Sequence, residues 1–457
     1  MLSTVMIGLV VIVMLAAQVS AVTTVSKPTG WDQGSKWAMG ASWSYQEDFA
    51  DKLDELVNQI ENNGYVDIDV NKLNIEAEAS CYVVNEVVEN TSTTYVLSTK
   101  MAMKMAAEAT IAVTAEVPKA GTYDSFDDIG AAYGTGNTEV KTIEVGIFED
   151  FALLVEGTTV FDKDFAIKST AWDCQVAFVT GFDGKNIPTP KVDETSEAIA
   201  LSYKNYDIDL RAVLNATVDV TFTPALDIYD FPIVEGESWE VISTANVTGT
   251  VGGFFDITGL TDEIKELMAQ SEYGSELETI EFPISFDDYT SEDGSIVDGE
   301  IVPFDTMIDQ TLYCDQILND VYVLGTPVDV CVITDESGAI SLYYSPQKKF
   351  FTSVLASADS ELVSDQVPDE LSMFTSIFAG DSEEMEMEAV SASTATAEIA
   401  KIESYMTTVE DKAVAGASSN GLVDFFFKAP FLGLIMVVLS VIIVAVALVM
   451  VRRKRPL

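Results

Sequence analysis

Histidine is absent from the 457 residues. Ser-His-Asp and Cys-His nucleophilic devices need an imidazole to take the nucleophile's proton, so both are excluded. Zinc and copper sites built on imidazole fall away with them. Basic residues are scarce as well. Residues 22–428 carry 20 Lys and Arg against 74 Asp and Glu, a net of −54, and Arg211 is their only arginine. Nucleic-acid binding needs clustered cations to neutralise phosphates, so such a surface would repel DNA and RNA, and anionic lipid head groups too. Self-repulsion of this size destabilises a compact state unless salt or divalent cations screen it. An apolar fraction of 48 % supports a packed core rather than disorder. With 74 acids, proximity of two carboxylates in sequence says nothing about glycosidase-type chemistry, and no enzyme is expected.

The charge-free stretches lie at the two ends. Residues 5–17 (VMIGLVVIVMLAA), followed by Gln18-Val19-Ser20-Ala21, have the layout of a secretory signal peptide, 1–21. The first four residues lack Lys and Arg, so an uncleaved N-terminal anchor is the alternative. Residues 429–451 (APFLGLIMVVLSVIIVAVALVMV) carry no charge and are long enough to cross a bilayer core of about 30 Å as a helix. Arg452, Arg453, Lys454 and Arg455 follow at once, and such clusters mark the cytoplasmic flank. The expected localisation is therefore the cell membrane. The chain passes once, with the large N-terminal region extracellular and residues 452–457 as a basic cytoplasmic tail.

Cysteine is also sparse. Cys81, Cys174, Cys314 and Cys331 are an even number in an exported chain, which suggests two disulfides. Cys314 and Cys331 flank one apparent hairpin, so the favoured pairing is Cys81 with Cys174 and Cys314 with Cys331; free buried thiols are the alternative. Asn90, Asn215 and Asn246 head N-x-[ST] sequons and are candidate glycosylation sites.

Between the ends, most segments are rich in Val, Ile, Thr and aromatics at period two and are broken by Gly, Pro, Asn and Asp. That pattern predicts antiparallel sheets with a few helices, a mainly β (α+β) chain. Residues 46–62 place Phe49, Leu53, Leu56, Val57 and Ile60 on one helical face; residues 261–272 do the same with Ile264, Leu267 and Met268. A Gly stands three residues ahead of a Trp twice, at Gly34 and Trp37 and at Gly236 and Trp239. This echo sets a boundary near Pro224 between two extracellular β-rich domains, 22–223 and 224–360. Residues 361–428, rich in Ser, Ala and Glu, read as a stalk, partly helical at 396–414.

In the stretch 324–351, residues 335–338 supply a turn, Tyr343 and Tyr344 point to opposite faces, and Pro346 ends the strand. The hairpin is scaffold. "GAAYGTGN" at 130–137 lacks the Lys of a phosphate loop and reads as a flexible loop. Residues 287–300 (DDYTSEDGSIVDGE) fail as an EF-hand, because Tyr289 takes the first ligand position. A calcium site of another form remains a candidate there, using Asp287, Asp288, Glu292, Asp293, Asp298 and Glu300.

The second half also shows Phe231-Pro232-Ile233, Gly236 and Trp239, then Gly325-Thr326 and Tyr343-Tyr344-Ser345-Pro346. These residues, spanning 231–346, resemble a β-rich module of exported, membrane-anchored archaeal-type surface proteins. The resemblance implies half-barrel domains of the lipoprotein-carrier kind, each a curved antiparallel sheet around a helix. Pro327 replaces the module's aromatic and no lipobox cysteine is present, so membrane attachment differs. Two functions follow as expectations. One is a structural, adhesive or binding ectodomain of the cell envelope, with itself or other envelope proteins as partners. The alternative is a carrier or receptor for a lipid or other apolar ligand in the half-barrel cup.

Overall fold

Period-two alternation becomes strand almost throughout the structure, a computed structural model that describes residues 24–47, 68–192, 198–259, 284–287, 290, 295–335, 340–357 and 384–415. In chain order the first strands are β1 (Thr24–Val25), β2 (Lys36–Glu47), β3 (Ile68–Asn90), β4 (Thr94–Pro118), β5 (Gly121–Tyr123), β6 (Thr138–Asp162), β7 (Ile167–Val192) and β8 (Ile199–Leu226). There follow β9 (Ile233–Val234), β10 (Ser238–Thr258), β11 (Ile284–Ser285), β12 (Ile296–Val297), β13 (Glu300–Val323), β14 (Thr326–Asp335), β15 (Ile340–Ser345), β16 (Phe350–Ser357) and β17 (Glu384–Ala389). Two helices are described, α1 (Phe126–Thr135) and α2 (Ala392–Val414).

The chain runs as two antiparallel meanders, β2-β3-β4-β6-β7-β8 and β10-β13-β14-β15-β16-β17. They join edge to edge where β8 pairs with β10 and where β17 pairs with β2, closing a 12-stranded barrel. The expected boundary near Pro224 thus marks a junction between two halves of one ring rather than a gap between two half-barrels. The Gly-Trp echo sits at equivalent places. Gly34 donates its amide to Val87 O and Gly236 to Cys314 O, each with positive φ just before the first strand of its meander.

The inward face follows from burial. Along β10 every second residue from Trp239 to Val247 is buried, and the intervening ones are exposed. The buried set continues on the paired positions of neighbouring strands, through Val218, Val220, Ile308, Leu312, Ile333 and Leu342. The opposite face carries ion pairs such as Lys104–Glu78 and Lys36–Glu86, so it is the outside.

The two meanders differ in length. Strands β3, β4, β6, β7 and β8 run 23 to 28 residues, whereas β14 to β17 run 6 to 10. The short strands oppose only one end of the long ones. There, at the pole of the β3–β4 and β6–β7 turns, aromatics fill the barrel. Trp31 meets Trp37, Tyr95, Phe161, Phe165 and Phe350 at centroid distances of 5.0 to 5.9 Å. Its indole nitrogen donates to Lys349 O at 2.8 Å. The motif residues meet in the same core: Phe231 lies 5.6 Å from Tyr344, and Trp239 is buried. Tyr344 points inward and its chain neighbour Tyr343 outward, as alternation requires.

Helix α2 starts at an N-cap where Ser391 Oγ accepts from Thr394 N. Its buried face, Ala395, Ile399, Ile402, Met406, Val409 and Ala413, repeats at spacings of three and four. That face packs on the outer wall over Ala102, Ala152, Ala177 and Val179. Outer-face ion pairs hold it: Lys412 Nζ stands 2.5 Å from Asp150 Oδ2, and Lys100 bridges to Glu403. So the helix expected at 396–414 forms, but it is docked on the barrel rather than part of a free stalk. The Gly-rich 130–137 is likewise no loop: α1 covers most of it and ends at Gly136, whose φ of 70° suits a C-cap. The signal peptide, most of the expected helix at 46–62, the helix at 261–272, the membrane span 429–451 and the basic tail lie outside the described residues.

Candidate functional site

Of the expected disulfides, one pair is brought together. Cys314 and Cys331 point into the filled core with their Sγ atoms 2.6 Å apart. Cys81 and Cys174 are not neighbours. They stand on β3 and β7 with β4 and β6 between them, three strand spacings or roughly 14 Å along the wall, beyond the 7 Å that a disulfide spans. That pairing is therefore corrected: both are inward-facing thiols, pushed up to about 12 by burial, with Asp173 adding to the effect at Cys174. Among the sequons, Asn215 and Asn246 are exposed on the outer face, and Asn246 Nδ2 donates to Asp305 Oδ1. Asn90 is tied down at a turn. Its Nδ2 donates to Trp31 O at 2.8 Å and its Oδ1 accepts from Lys163.

Of the calcium candidates, Asp287, Asp298 and Glu300 line one outer cleft of about 770 Å³ with Glu156, Asp173 and Glu403. Asp288, Glu292 and Asp293 lie outside the described residues. Asp287 already has a structural partner, since its Oδ1 accepts from Gly253 N at 3.0 Å. Among the described residues no three Asp, Glu or Cys stand close enough to hold a metal.

The interior holds a different feature. Below the aromatic core, residues 302–311 of β13 and 41–47 of β2 have no strand partner on the sides that face each other, among the described residues. Among the described residues no further strand covers the barrel there, and the inner faces of the long strands look toward that side. Their inward side chains are Met101, Met103 and Met105 on β4, Phe151, Leu153 and Val155 on β6, and Val176 and Phe178 on β7. Leu210 and Leu214 on β8 and Val251 and Phe255 on β10 continue the same surface. Several are only partly buried, the three methionines, Val176, Leu210 and Val251 among them. On β10, Gly253 lies at φ 106°, and a Cβ there would stand 2.0 Å from Val213 O, so glycine lets β10 close against β8 beside this surface.

Among the described inward side chains of β4, β6, β7 and β8 beside this surface, one is a carboxylate. On β6, Asp150 points outward to Lys412 and Tyr405, and Glu149 points inward beside Phe151 and Ile147. Its cross-strand neighbours are small, Ala107 on β4 and Thr180 on β7. Burial, with a smaller contribution from Asp150, pushes Glu149 up to about 6. The nearby cations are on the other face: Lys104 bonds Glu78, Lys412 bonds Asp150 and Arg211 pairs with Asp209. Nothing in the sequence singled out Glu149 among 74 acids. Its only signal is that Phe151, Leu153 and Val155 continue its period-two face, and only the strand register says that this face is inside.

Comparison with family models, with curated proteins and with solved structures finds no match.

Proposed function

We propose that this chain is a C-terminally anchored, single-pass surface protein whose barrel binds an elongated apolar ligand in its open lower half. The observation that carries the reading is the partly buried, Met-lined inner face on β4, continued by Val176 on β7, Leu210 on β8 and Val251 on β10. Methionine side chains adapt to varied apolar partners, and an apolar surface left accessible inside a barrel is where such a ligand gains most from leaving water. Residues 429–451 form the anchor, Arg452–Arg455 stay in the cytoplasm, and the acidic outer wall keeps the ectodomain soluble in salt. Cys314 and Cys331 form a disulfide, and Asn215 and Asn246 carry glycans. The work is binding, with no chemical step.

A second reading, an adhesive envelope component, draws on the outer surface. Met307, Ile242, Tyr322 and Leu324 are 65 %, 52 %, 75 % and 58 % exposed. Ile242 and Met307 are neighbours on β10 and β13, and Tyr322 and Leu324 stand at the far end of β13; apolar side chains on an acidic wall suit protein contacts.

A neutral alkyl alcohol carrying a photoactivatable diazirine separates the two readings. With the full chain in phosphatidylcholine vesicles, labelling is expected on peptides of β4, β6 and β7 and is expected to fall in Met103→Trp, which fills the groove. Labelling confined to residues 429–451 would sink the groove and leave the adhesive reading.

A further inference from the structure

Three successive inner positions of β4 are methionine, Met101, Met103 and Met105, while the same rows on β6 carry Val155, Leu153 and Phe151. Val or Leu fills an apolar row as well as Met does, so packing alone does not require three thioethers in succession. On the other flank of β4, the register sets Cys81 of β3 directly opposite Met103. Paired residues of an antiparallel ladder share a face, so the thiol and the three thioethers lie on one surface. Cys81 is the direct neighbour of Met103, about 5 Å away between Cβ atoms, and the diagonal neighbour of Met101 and Met105, at about 7 Å. Three rotatable bonds let each methionine swing its sulfur across those gaps. Cys81 is a free thiol, and all four residues are half-buried and keep some surface in contact with water.

We propose that Cys81, Met101, Met103 and Met105 form a sulfur site for a soft monovalent cation, copper(I), on the inner face of the β3–β4 seam. Thiolate and thioether donors select copper(I), whereas calcium and magnesium take oxygen donors. A single thiolate among thioethers also leaves zinc without the imidazoles or further thiolates of its closed sites. The chain's lack of histidine removes imidazole-built copper sites and leaves sulfur-built ones untouched. On binding, the Cys81 proton passes to water, one copper–thiolate bond forms, thioethers complete the coordination, and no electron is transferred. The ligands belong to the wall itself, so the site asks for no empty interior and does not rest on the apolar-ligand reading above. Cys174 is not part of it: its row reaches Met101 only across β6, two strand spacings or roughly 10 Å away.

Silver(I), a redox-inert ion of the same charge and softness, tests the site on the full chain in detergent micelles. The buffer is free of chloride and of reductant and holds excess free methionine to strip weakly held ions. The parent protein should retain one silver ion per chain, with only sulfur neighbours in X-ray absorption. Cys81→Ala should weaken retention about 100-fold, and the triple variant Met101→Leu, Met103→Leu, Met105→Leu at least about tenfold. Leu replaces Met at nearly equal volume, so the triple variant should keep the parent's urea midpoint and lose silver for want of donors rather than of fold. Cys174→Ala should bind as the parent does. No retained ion in the parent, full retention by Cys81→Ala or by the triple variant, or loss in Cys174→Ala overturns the site.

Discussion

The upper and lower halves of the barrel are built on the same long strands, yet they differ in what stands opposite. In the upper half the short strands β14 to β16 face the long meander, and Leu312, Cys314, Ile333 and Tyr344 meet Val87, Leu97 and Phe161 in one core. In the lower half the short strands have ended. The same alternation continues down β4 and β6, but no described strand stands opposite Met101, Met103 and Met105, which are only partly buried. Strand length, rather than residue type, separates a core from a groove. An inward Leu is a packing residue where a partner strand exists and a binding residue where none does.

Truncations should expose that difference directly. The largest effect is expected for Trp31→Ala, which removes a buried ring with five aromatic neighbours and should cost about 3–5 kcal/mol in urea unfolding. Gly253→Val forces a side chain onto a backbone with φ 106° and onto Val213 O, and should cost on the order of 3 kcal/mol. Glu149→Gln should act in the opposite direction. The folded carboxyl titrates near 6 against a reference of 4.5, so the folded state binds its proton more tightly than the unfolded one. Stability is then greatest below the unfolded value and declines as pH rises through about 6. The substitution should therefore stabilise the protein by roughly 2 kcal/mol at pH 7.5 and by nothing near pH 4. A variant that gains nothing at pH 7.5 would place Glu149 in water.

Smaller still is Met103→Ala, at about 1 kcal/mol, because its side chain is partly exposed. A loss equal to that of a core truncation such as Leu312→Ala would show that the lower half is packed like the upper and would abolish the contrast. Finally, iodoacetamide at pH 8 should leave Cys81 and Cys174 unmodified in the folded protein, since both thiols titrate near 12. Rapid labelling of either would show its stretch of inner wall open to water.

Much of the architecture was legible in the chain. Period-two segments became strands, the residues at 395–413 formed a helix with its apolar face at spacings of three and four, and the Gly-Trp echo marked the start of each meander. Tyr343 and Tyr344 took opposite faces because alternation is a local property of extended backbone. The partner of Cys81 was misjudged because a pairing depends on how many strands lie between two cysteines, which spacing along the chain does not encode. The helix at 396–414 is expected in a stalk. It docks on the barrel because Ala102, Ala152 and Ala177 on the outer wall leave a shallow bed for its apolar face.

The sequence by itself determined the class of the molecule: a β-rich, strongly acidic chain with no imidazole chemistry and with apolar runs at both ends. These are properties of composition and of local period, and they hold whatever the strands pair with. The tertiary structure alone decided that two meanders close into one ring, that one is longer than the other's reach, and that Glu149 stands on the inner face of its strand. Those outcomes depend on register, where a slip of one residue would turn Glu149 outward and Asp150 inward.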